Sequence, residues 1–569
     1  MWYLKDSRRF TNEQAELASL QAEGDWLTIE GRRLDAGKLI IDIEIQVGDR
    51  TYPAMLRYPS TFPHSPPSVL PRSPARWSGH QYGQGELCLE WGPDTWQPTL
   101  TGADMVRSAY KLLVTEAPNS DELVQAAPSR HETSLGQDLR HEPFRFLVTR
   151  ALAAKLHETQ APFLGSMGFF LRTASSVHVV IPVEIYEGSA TIWRDPTVAS
   201  DIERSSTKLR GYVAVLPSGS VLPATRATGQ FISALAALGC ALPTDHRPGL
   251  LEFLVVMIDG VHRLFWLRDG DERMCEFEAV LEGDGDRSDP ARRPIGNKTI
   301  GLVGCGSAGS KIAVSLARAG ARNFVLVDDD VLLPENLVRH ELDWDGIASH
   351  KVNALARRLD AVAPGCKCTP RRHRLGGQES NGSVDGALML LRDCDLIIEA
   401  TADARVFNLL GGVVADGGPP LIWLEIYGGG IGGLVARSRP ELDPSPQTAR
   451  ARIDAWCADK DVVAPRPAAR YEIDAPEGPM IADDADVAVI AAHAARFAID
   501  ILTEPHVSAF PVSAYFIGLR AEWIFQQPFH CFPVDIGSAE PRVVPAVDPA
   551  GLAAIVALLE DSRDRPAAA

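Results

Sequence analysis

The sequence predicts a multidomain protein of mixed class, α+β in its first half and α/β in its second. Three observations carry this. The chain has 569 residues, too many for one hydrophobic core, so three or four domains are expected. Strand-like apolar runs recur at residues 39–45, 51–58, 177–183, 211–216 and 251–257, separated by helical periodicities. Residues 298–328 read as strand, glycine turn, helix and strand in immediate succession.

Composition narrows the function classes. The hydrophobic content of 45% is ordinary for a globular protein. A net charge of −18 argues against a mainly nucleic-acid-binding role, because phosphate neutralisation needs basic surface. The nearest basic tract, Arg371-Arg372-His373-Arg374, reads as a solvated edge. No apolar run approaches the roughly 18–20 residues of a membrane span, and residues 1–6 do not form a signal peptide. Nine cysteines without a CxxC pair suggest reduced thiols and a cytoplasmic location.

In chain order, residues 8–24 have helical spacing, with Phe10, Ala15, Leu17 and Leu20 on one side. Two strands follow, and then a proline-rich stretch over 58–67 that cannot be central sheet, since proline donates no ladder hydrogen bond. His80-Gln81-Tyr82 leads to Gly85-Glu86-Leu87-Cys88-Leu89 and to Trp96-Gln97-Pro98, with a helix from about Gly102. A lone cysteine between leucines is ordinarily a core thiol. A thiolate is nevertheless a good nucleophile and a good leaving group, able to accept an acyl chain and hand it on.

Helix, sheet, Phe62-Pro63, Pro66-Pro67, His80, Gly85-x-x-Cys88-Leu89 and Trp96-x-Pro98 together resemble the ubiquitin-conjugating catalytic domain, over about residues 8–125 of a domain spanning 1–125. The resemblance implies that Cys88 is a catalytic, thioester-forming cysteine. The family's oxyanion-steadying Asn has no counterpart in His80-Gln81-Tyr82, so that support must come from elsewhere or from backbone N–H groups.

Residues 126–143 read as a linker and 144–290 as an α+β bridging domain, with helices at about 144–157 and 230–238. No catalytic constellation appears in it; His178 and Glu184 are read as structural rather than as a metal pair. Gly283–Pro290 marks a junction.

The last large unit, residues 291–548, starts with the apolar run Thr299–Val303 and the turn Gly304-Cys305-Gly306-Ser307-Ala308-Gly309. Glycines there allow a tight turn and close approach of a phosphate, and a helix N-terminus offers its free N–H groups. After the second strand come Asp328, Asn336, Arg339 and Lys351. This polar, cationic series suits a triphosphate better than a nicotinamide. The spacing D-x-D-x5-N-L-x-R, followed by Lys twelve residues on, resembles the adenylation domain of the ThiF/MoeB/ubiquitin-activating superfamily over residues 298–436. The resemblance implies a Rossmann-like ThiF adenylation domain with ATP and Mg2+ as cofactors. Gly304, Gly306 and Gly309 would cradle the nucleotide, Asp328 and Asn336 would meet the ribose, and Arg339 and Lys351 the phosphates. Asp403 would be the metal ligand, although in Glu399-Ala400-Thr401-Ala402-Asp403 it stands one residue late. From Pro440 to about Ile481 the chain turns polar and proline-rich, where the family passes a crossover loop that can present a cysteine. Cys457 is the expected second catalytic, thioester-forming cysteine, with Cys531 the runner-up and helix packing the alternative. An Ala-rich helix occupies 483–503, and residues 549–569 form a C-terminal helix and tail.

The whole resembles a bacterial conjugating–activating fusion, like the ubiquitin-transferase-like enzymes of CBASS antiphage operons. The expected partner is a protein with a free C-terminus, a nucleotidyltransferase of the CD-NTase kind or a ubiquitin-like protein, and the expected oligomer is a homodimer. The competing readings are a Rossmann oxidoreductase, which needs neither Lys351 nor Cys88, and a non-catalytic scaffold with degenerate versions of both domains.

Overall fold

A computed structural model describes residues 1–78, 80–82, 85–116, 136, 139–223, 225, 227–243, 252–267, 274–283, 289–460, 473–475, 478–480, 482–504, 506–540 and 548–564. The chain divides into two compact units, Met1–His141 and Glu142–Ala569. Of the expected linker, residues 126–143, residues 126–135, 137 and 138 lie outside the described residues, as do residues 117–125 before it.

The first unit runs α1 (Trp2–Lys5), α2 (Ser7–Ala22), β1 (Leu27–Asp35), β2 (Lys38–Val47), β3 (Arg50–Arg57), β4 (Ser68–Pro71) and α3 (Gly102–Thr115). The four strands form an antiparallel meander in chain order. Ile41, Ile43 and Ile45 of β2 share one face and are buried together with Leu17 and Leu20 of α2 and Val106 and Ala109 of α3. The Asp6 carboxylate caps α2 by accepting from Arg9 N–H, and Thr101 with Asp104 forms a capping box on α3.

A buried carboxylate ties these helices to the sheet. Glu13 accepts from the Tyr58 hydroxyl (2.7 Å), from the Gly102 N–H (2.7 Å) and from Arg9 Nε (2.9 Å). Burial pushes its carboxyl above the usual range, and these donors pull it part of the way back. Gly102 is required by the approach: a Cβ there would lie 2.0 Å from Tyr58 Oη.

The second unit opens with β5 (Phe144–Val148), α4 (Arg150–Glu158), β6 (Phe163–Ala174), β7 (Val177–Glu187), β8 (Ala190–Arg194), β9 (Thr207–Val215), α5 (Thr228–Ala237), β10 (Glu252–Ile258), β11 (Val261–Leu267) and β12 (Cys275–Leu281). Its sheet order is β5-β12-β11-β10-β9-β6-β7-β8, and β5 also pairs with β7. Seven strands therefore close into a ring with β8 attached, which leaves few open edges. The helix expected from about residue 144 begins only at Arg150. Phe146 and Val148 are wholly or nearly wholly buried in the core, which draws the segment before Thr149 into the sheet. The His178 imidazole stacks on Phe144 at 5.2 Å, and the Glu184 carboxylate pairs with Arg194 and Lys208.

The same unit continues with β13 (Thr299–Val303), α6 (Ser307–Arg318), β14 (Asn323–Val327), α7 (Lys351–Val362), β15 (Lys367–Arg371), α8 (Asn381–Arg392), β16 (Leu396–Glu399), α9 (Ala404–Ala415), β17 (Leu421–Tyr427), β18 (Gly432–Ser438), α10 (Pro446–Asp459), β19 (Ile473–Ala475), β20 (Gly478–Met480), α11 (Asp484–Thr503), β21 (Ala514–Gly518), β22 (Cys531–Val534) and α12 (Pro549–Asp564). The large sheet has the order β15-β14-β13-β16-β17-β18-β21-β22. Its first five strands are parallel and its last three pairings antiparallel. One face packs Ile312 of α6, Leu355 of α7 and Ile490 of α11; the other packs Leu391 of α8, Phe407 of α9 and Ile453 of α10. From β13 the chain steps outward to β14 and β15, then returns to β16 on the other side. That reversal opens a crevice at the carboxyl ends of β13 and β16, where ligands bind in sheets of this kind. Ser200 joins the closed sheet to α7, its Oγ donating to Asp360 at 2.6 Å.

Gly102→Ala is expected to destabilise the first unit by about 1–3 kcal/mol through overpacking. Hydrogen exchange should show lost protection over 102–115 and none over 299–303; equal protection in both variants would mean that the Glu13 junction tolerates a methyl group.

Candidate active site

The crevice between β13 and β16 is built around one peptide. Gly304 takes φ +92°, and Gly309 sits so close beneath it that a Cβ at 309 would lie 1.9 Å from Gly304 O. On its other side a Cβ at Gly304 would meet the Ala400 backbone at 2.9 Å. At Gly306, by contrast, a Cβ would meet nothing within 4 Å. Two of the glycines are thus spent on packing the turn against α6 and β16, and the third leaves the backbone open at the N-terminus of α6. Ser307 Oγ, at the first position of that helix, is buried without a hydrogen-bond partner.

Cys305, between these glycines, is held through its backbone. Its N–H donates to Asp328 Oδ2 at 2.6 Å, and its carbonyl lies 2.9 Å from His340 Nε2. His340 Nδ1 accepts from the Leu342 N–H at 3.1 Å, so the ring is the neutral tautomer with its proton on Nε2, donating to Cys305. Burial pushes His340 down to about 4 and the Cys305 thiol well above its ordinary range. The thiol is therefore a packing group rather than a nucleophile. Burial also raises the Asp328 carboxyl; its Oδ1 accepts from the Asp330 N–H at 2.8 Å.

The remaining expected residues gather around this turn. Lys351 opens α7 with its side chain only 10% exposed, paired to the Asp330 carboxylate, whose pKa that pairing lowers against burial. Asn336 Oδ1 accepts from the Leu333 N–H at 3.0 Å and so shapes the short 3-10 turn Pro334–Val338. Arg339 follows that turn, half-buried. Two residues that the sequence reading passed over also belong here. His340 looked like a surface polar neighbour of Arg339, and only the fold turns it inward. Lys311, on the first turns of α6, is nearly buried and pairs with Asp484 at the start of α11 at 2.6 Å.

Asp403 stands at the end of β16 but faces its own helix. It caps α9, Oδ1 accepting from the Arg405 N–H at 2.8 Å, and Arg405 grips both carboxylate oxygens. Among the described residues no group of three His, Cys, Asp or Glu is arranged to hold a metal ion. Mg2+ in nucleotide sites is held by one or two carboxylates together with the phosphates; in this arrangement the Asp403 carboxylate is engaged by Arg405. Glu399, one turn earlier, is fully buried. Its Oε1 accepts from Thr401 N–H (2.6 Å) and Ala402 N–H (3.1 Å), and burial pushes it up to about 7.

The thiols differ in access. In the first unit Cys88 is half-buried, its N–H donating to His80 O at 2.8 Å and its Sγ lying 3.4 Å from Tyr82 Oη. Cys457 is 4% exposed, packed on α10 beside Ile453 and Ala449 against the sheet. In this arrangement it is a helix-packing thiol, and an acyl group could reach it only if α10 moved. Cys531, on the edge strand β22, is exposed.

Residues 285–440 match the ThiF family, and residues 165–283 match a domain described as observed between E2 and E1 domains. Residues 285–440 thus carry a ThiF domain, within a chain that resembles bacterial ThiF/E1-like fusions. The ThiF match covers the crevice, from the strand before the glycine turn through Asp403 and on to β18. An uncharacterized protein of Sinorhizobium fredii (strain NBRC 101917 / NGR234), y4qC, is 27% identical over 470 residues, covering 75% of this chain and 78% of that one. The ATP-dependent ubiquitin transferase-like protein Cap2 of Pseudomonas aeruginosa (strain BWHPSA011 / Pa011) is 31% identical over 154 residues, 26% of each chain. A crystal structure of E. coli MccB with AMPCPP and MccA aligns with a TM-score of 0.33 at 15% identity, covering 45% of this chain and 68% of that one. No helix among the described residues is long and apolar enough to cross a membrane.

Two buried groups of the crevice give opposite pH dependences. His340, depressed to about 4, contributes stability that is present above its unfolded pKa of about 6.5 and lost as pH falls towards 4. Glu399, raised to about 7, contributes stability that is full below its unfolded pKa and lost as pH rises through 7. Each would change stability by up to about 1.4 kcal/mol per pH unit inside its window. Denaturant unfolding between pH 5 and 7 should therefore rise less steeply with pH in His340→Gln than in wild type, and more steeply in Glu399→Gln. Identical slopes in all three proteins would mean that neither group keeps its buried neutral state.

Proposed function

We propose that this protein joins a carboxylate at the C-terminus of a protein to an amine, using ATP to activate the carboxylate and Cys88 to carry it. The observation that carries the reading is the crevice itself: a ThiF-family glycine turn with free space at Gly306, an unpartnered Ser307 hydroxyl, and a nearly buried Lys351. The residues fit a nucleotide. The first N–H groups of α6 and Ser307 Oγ are donors without a protein acceptor for the hydroxyl, and a helix N-terminus favours phosphate. Asp328 and Asn336 are proposed at the ribose, Arg339 and Lys351 at the phosphates. Asp330 holds the Lys351 ammonium in place before any ligand arrives, so little reorganisation is needed when negative charge develops nearby.

ATP supplies the leaving group. A carboxylate oxygen attacks the α-phosphorus, the bond to the bridging oxygen breaks, and pyrophosphate departs with its charge met by Lys351 and Arg339. A cysteine thiolate then attacks the acyl carbon and AMP leaves. Finally an amine attacks the thioester, a C–N bond forms, and the thiolate is expelled. We assign the thioester to Cys88 in a ubiquitin-conjugating-like first unit. A relay through Cys457 would need α10 to release a buried thiol, while Cys531 is already exposed. The names of the Cap2 relatives, which are ATP-dependent and ubiquitin transferase-like, support this class of reaction. A role in antiphage defence and action as a homodimer are further parts of the proposal.

Arg339→Ala and Lys351→Ala are each expected to lower ATP–pyrophosphate exchange by about 100-fold or more, with the fold retained, because phosphate-facing cations act chiefly on the transition state. Exchange at the wild-type rate in both would remove their phosphate roles. With ATP and the cognate protein, intact mass should find a reductant-sensitive adduct that disappears in Cys88→Ala. Cys457→Ala should still load Cys88; loss of loading in a folded Cys457→Ala protein would restore the relay through α10.

A further inference from the structure

We propose that Tyr82 is a catalytic residue of the Cys88 centre, its hydroxyl donating a hydrogen bond to the oxyanion that forms when an amine attacks an acyl group carried on Cys88 Sγ. The inference rests on the reading of Cys88 as the thioester carrier. Its own basis is geometric. Tyr82 Oη lies 3.4 Å from Cys88 Sγ, and hydrogen bonds among residues 80–82 and 85–88 set this distance. Gln81 and Leu87 face each other in an antiparallel bridge. Tyr82 N–H donates to Glu86 O at 2.8 Å, and Gly85 N–H donates back to Tyr82 O at 2.9 Å, with Gly85 at φ +90°. The Gln81 side chain pins the base of the loop: its Nε2 donates to Ala75 O (2.8 Å) and Gly85 O (2.9 Å), and its Oε1 accepts from Trp77 N–H (2.8 Å). Cys88 N–H donates to His80 O on the opposite arm. Residues 82 and 88 are thereby diagonal neighbours on one face of a short hairpin, close enough for a long aromatic side chain to reach across.

A thioester on Sγ would place its carbonyl oxygen two bonds beyond the sulfur that Tyr82 already touches. Productive oxyanion donors lie about 2.7–3.1 Å from the developing charge, and a small rotation of a side chain that is 48% exposed brings the hydroxyl there. The bond changes balance without any further reagent. The amine nitrogen forms a bond to the acyl carbon as the C=O pair moves onto oxygen. That pair returns, the C–S bond breaks, Cys88 leaves as thiolate, and the amine proton passes to solvent. Tyr82 keeps its proton throughout and acts only as donor. The hydrogen bond to Cys88, then burial, push the phenol up to about 12, so it remains protonated across the working pH range. His80 is turned elsewhere, its Nε2 3.9 Å from Glu116 Oε1.

The test uses the full chain and a peptide carrying a C-terminal mercaptoethanesulfonate thioester, which exchanges onto an accessible thiol without ATP or the cognate protein. Intact mass follows loading, and free lysine then serves as the amine. Tyr82→Phe should reach the wild-type loaded fraction but discharge to lysine about 100-fold more slowly. Tyr82→Gln, which keeps an N–H donor, should recover part of the rate. Alkylation of Cys88 by iodoacetamide should be the same in wild type and Tyr82→Phe. Discharge from Tyr82→Phe at the wild-type rate overturns the inference and leaves the Cys88 reading intact. Alkylation slowed in parallel with discharge overturns it too, because Tyr82 would then act on the thiol. If Cys88→Ala loads and discharges like wild type, the carrier is another thiol and it is the underlying reading that fails.

Discussion

The ThiF domain depends on one peptide group held from both sides. Cys305 gives its N–H to Asp328 and receives the His340 N–H on its carbonyl. The turn therefore keeps its shape through two titratable side chains brought from beyond β14. Both are removed from water, which strengthens the hydrogen bonds and leaves little tolerance for losing either partner. The open backbone at Gly306 and Ser307 is the consequence: the turn is rigid where it meets protein and free where it meets the crevice.

Charge is distributed around that turn to the same end. Lys351 and Lys311 are nearly buried, and each has one carboxylate, Asp330 and Asp484 respectively. A buried ammonium without a partner would be expensive, and its partner fixes its position at the same time. Farther along the sheet Arg437 is wholly buried on β18, bonded to Asp500 at 2.7 Å and stacked over Phe497 at 4.6 Å. It anchors α11, whose first turn carries Asp484 back to Lys311. The helix that covers one face of the sheet is thus tied at both ends by ion pairs, and the buried Arg437–Asp500 pair is screened less by solvent than the Lys311–Asp484 pair, whose carboxylate is exposed.

Thiol chemistry follows access rather than motif. Among the nine cysteines, Cys240, Cys305, Cys394 and Cys457 are buried, whereas Cys88 stands partly open beside a phenol. Burial destabilises thiolate, so a buried cysteine is a poor nucleophile whatever its neighbours in sequence. The crossover region after α10 includes residues 461–472, which lie outside the described residues, while Cys457 itself belongs to the hydrophobic layer between α10 and the sheet.

Much of the architecture was legible in the sequence, because its signals are local. Apolar patterns marked β2, β3, β13 and β14 to within a residue or two, and α6 with its start three residues late; the start of α3 followed from the conjugating-domain resemblance. Of the spaced set Asp328, Asn336, Arg339 and Lys351, the fold brings Asp328 and Lys351 to the glycine turn. What the sequence could not determine are contacts whose partners are far apart along the chain. The ring closure of β5 on β7 turned an expected helix into a strand, because burial of Phe146 and Val148 outweighed a weak local preference. His340 and Lys311 joined the site, and Asp403 turned to its own helix, through hydrogen bonds that no spacing encodes. Cys457 and Cys88 looked alike as single cysteines in plausible surroundings. Only tertiary packing buried one and set the other against Tyr82, because exposure depends on which surfaces the fold brings together.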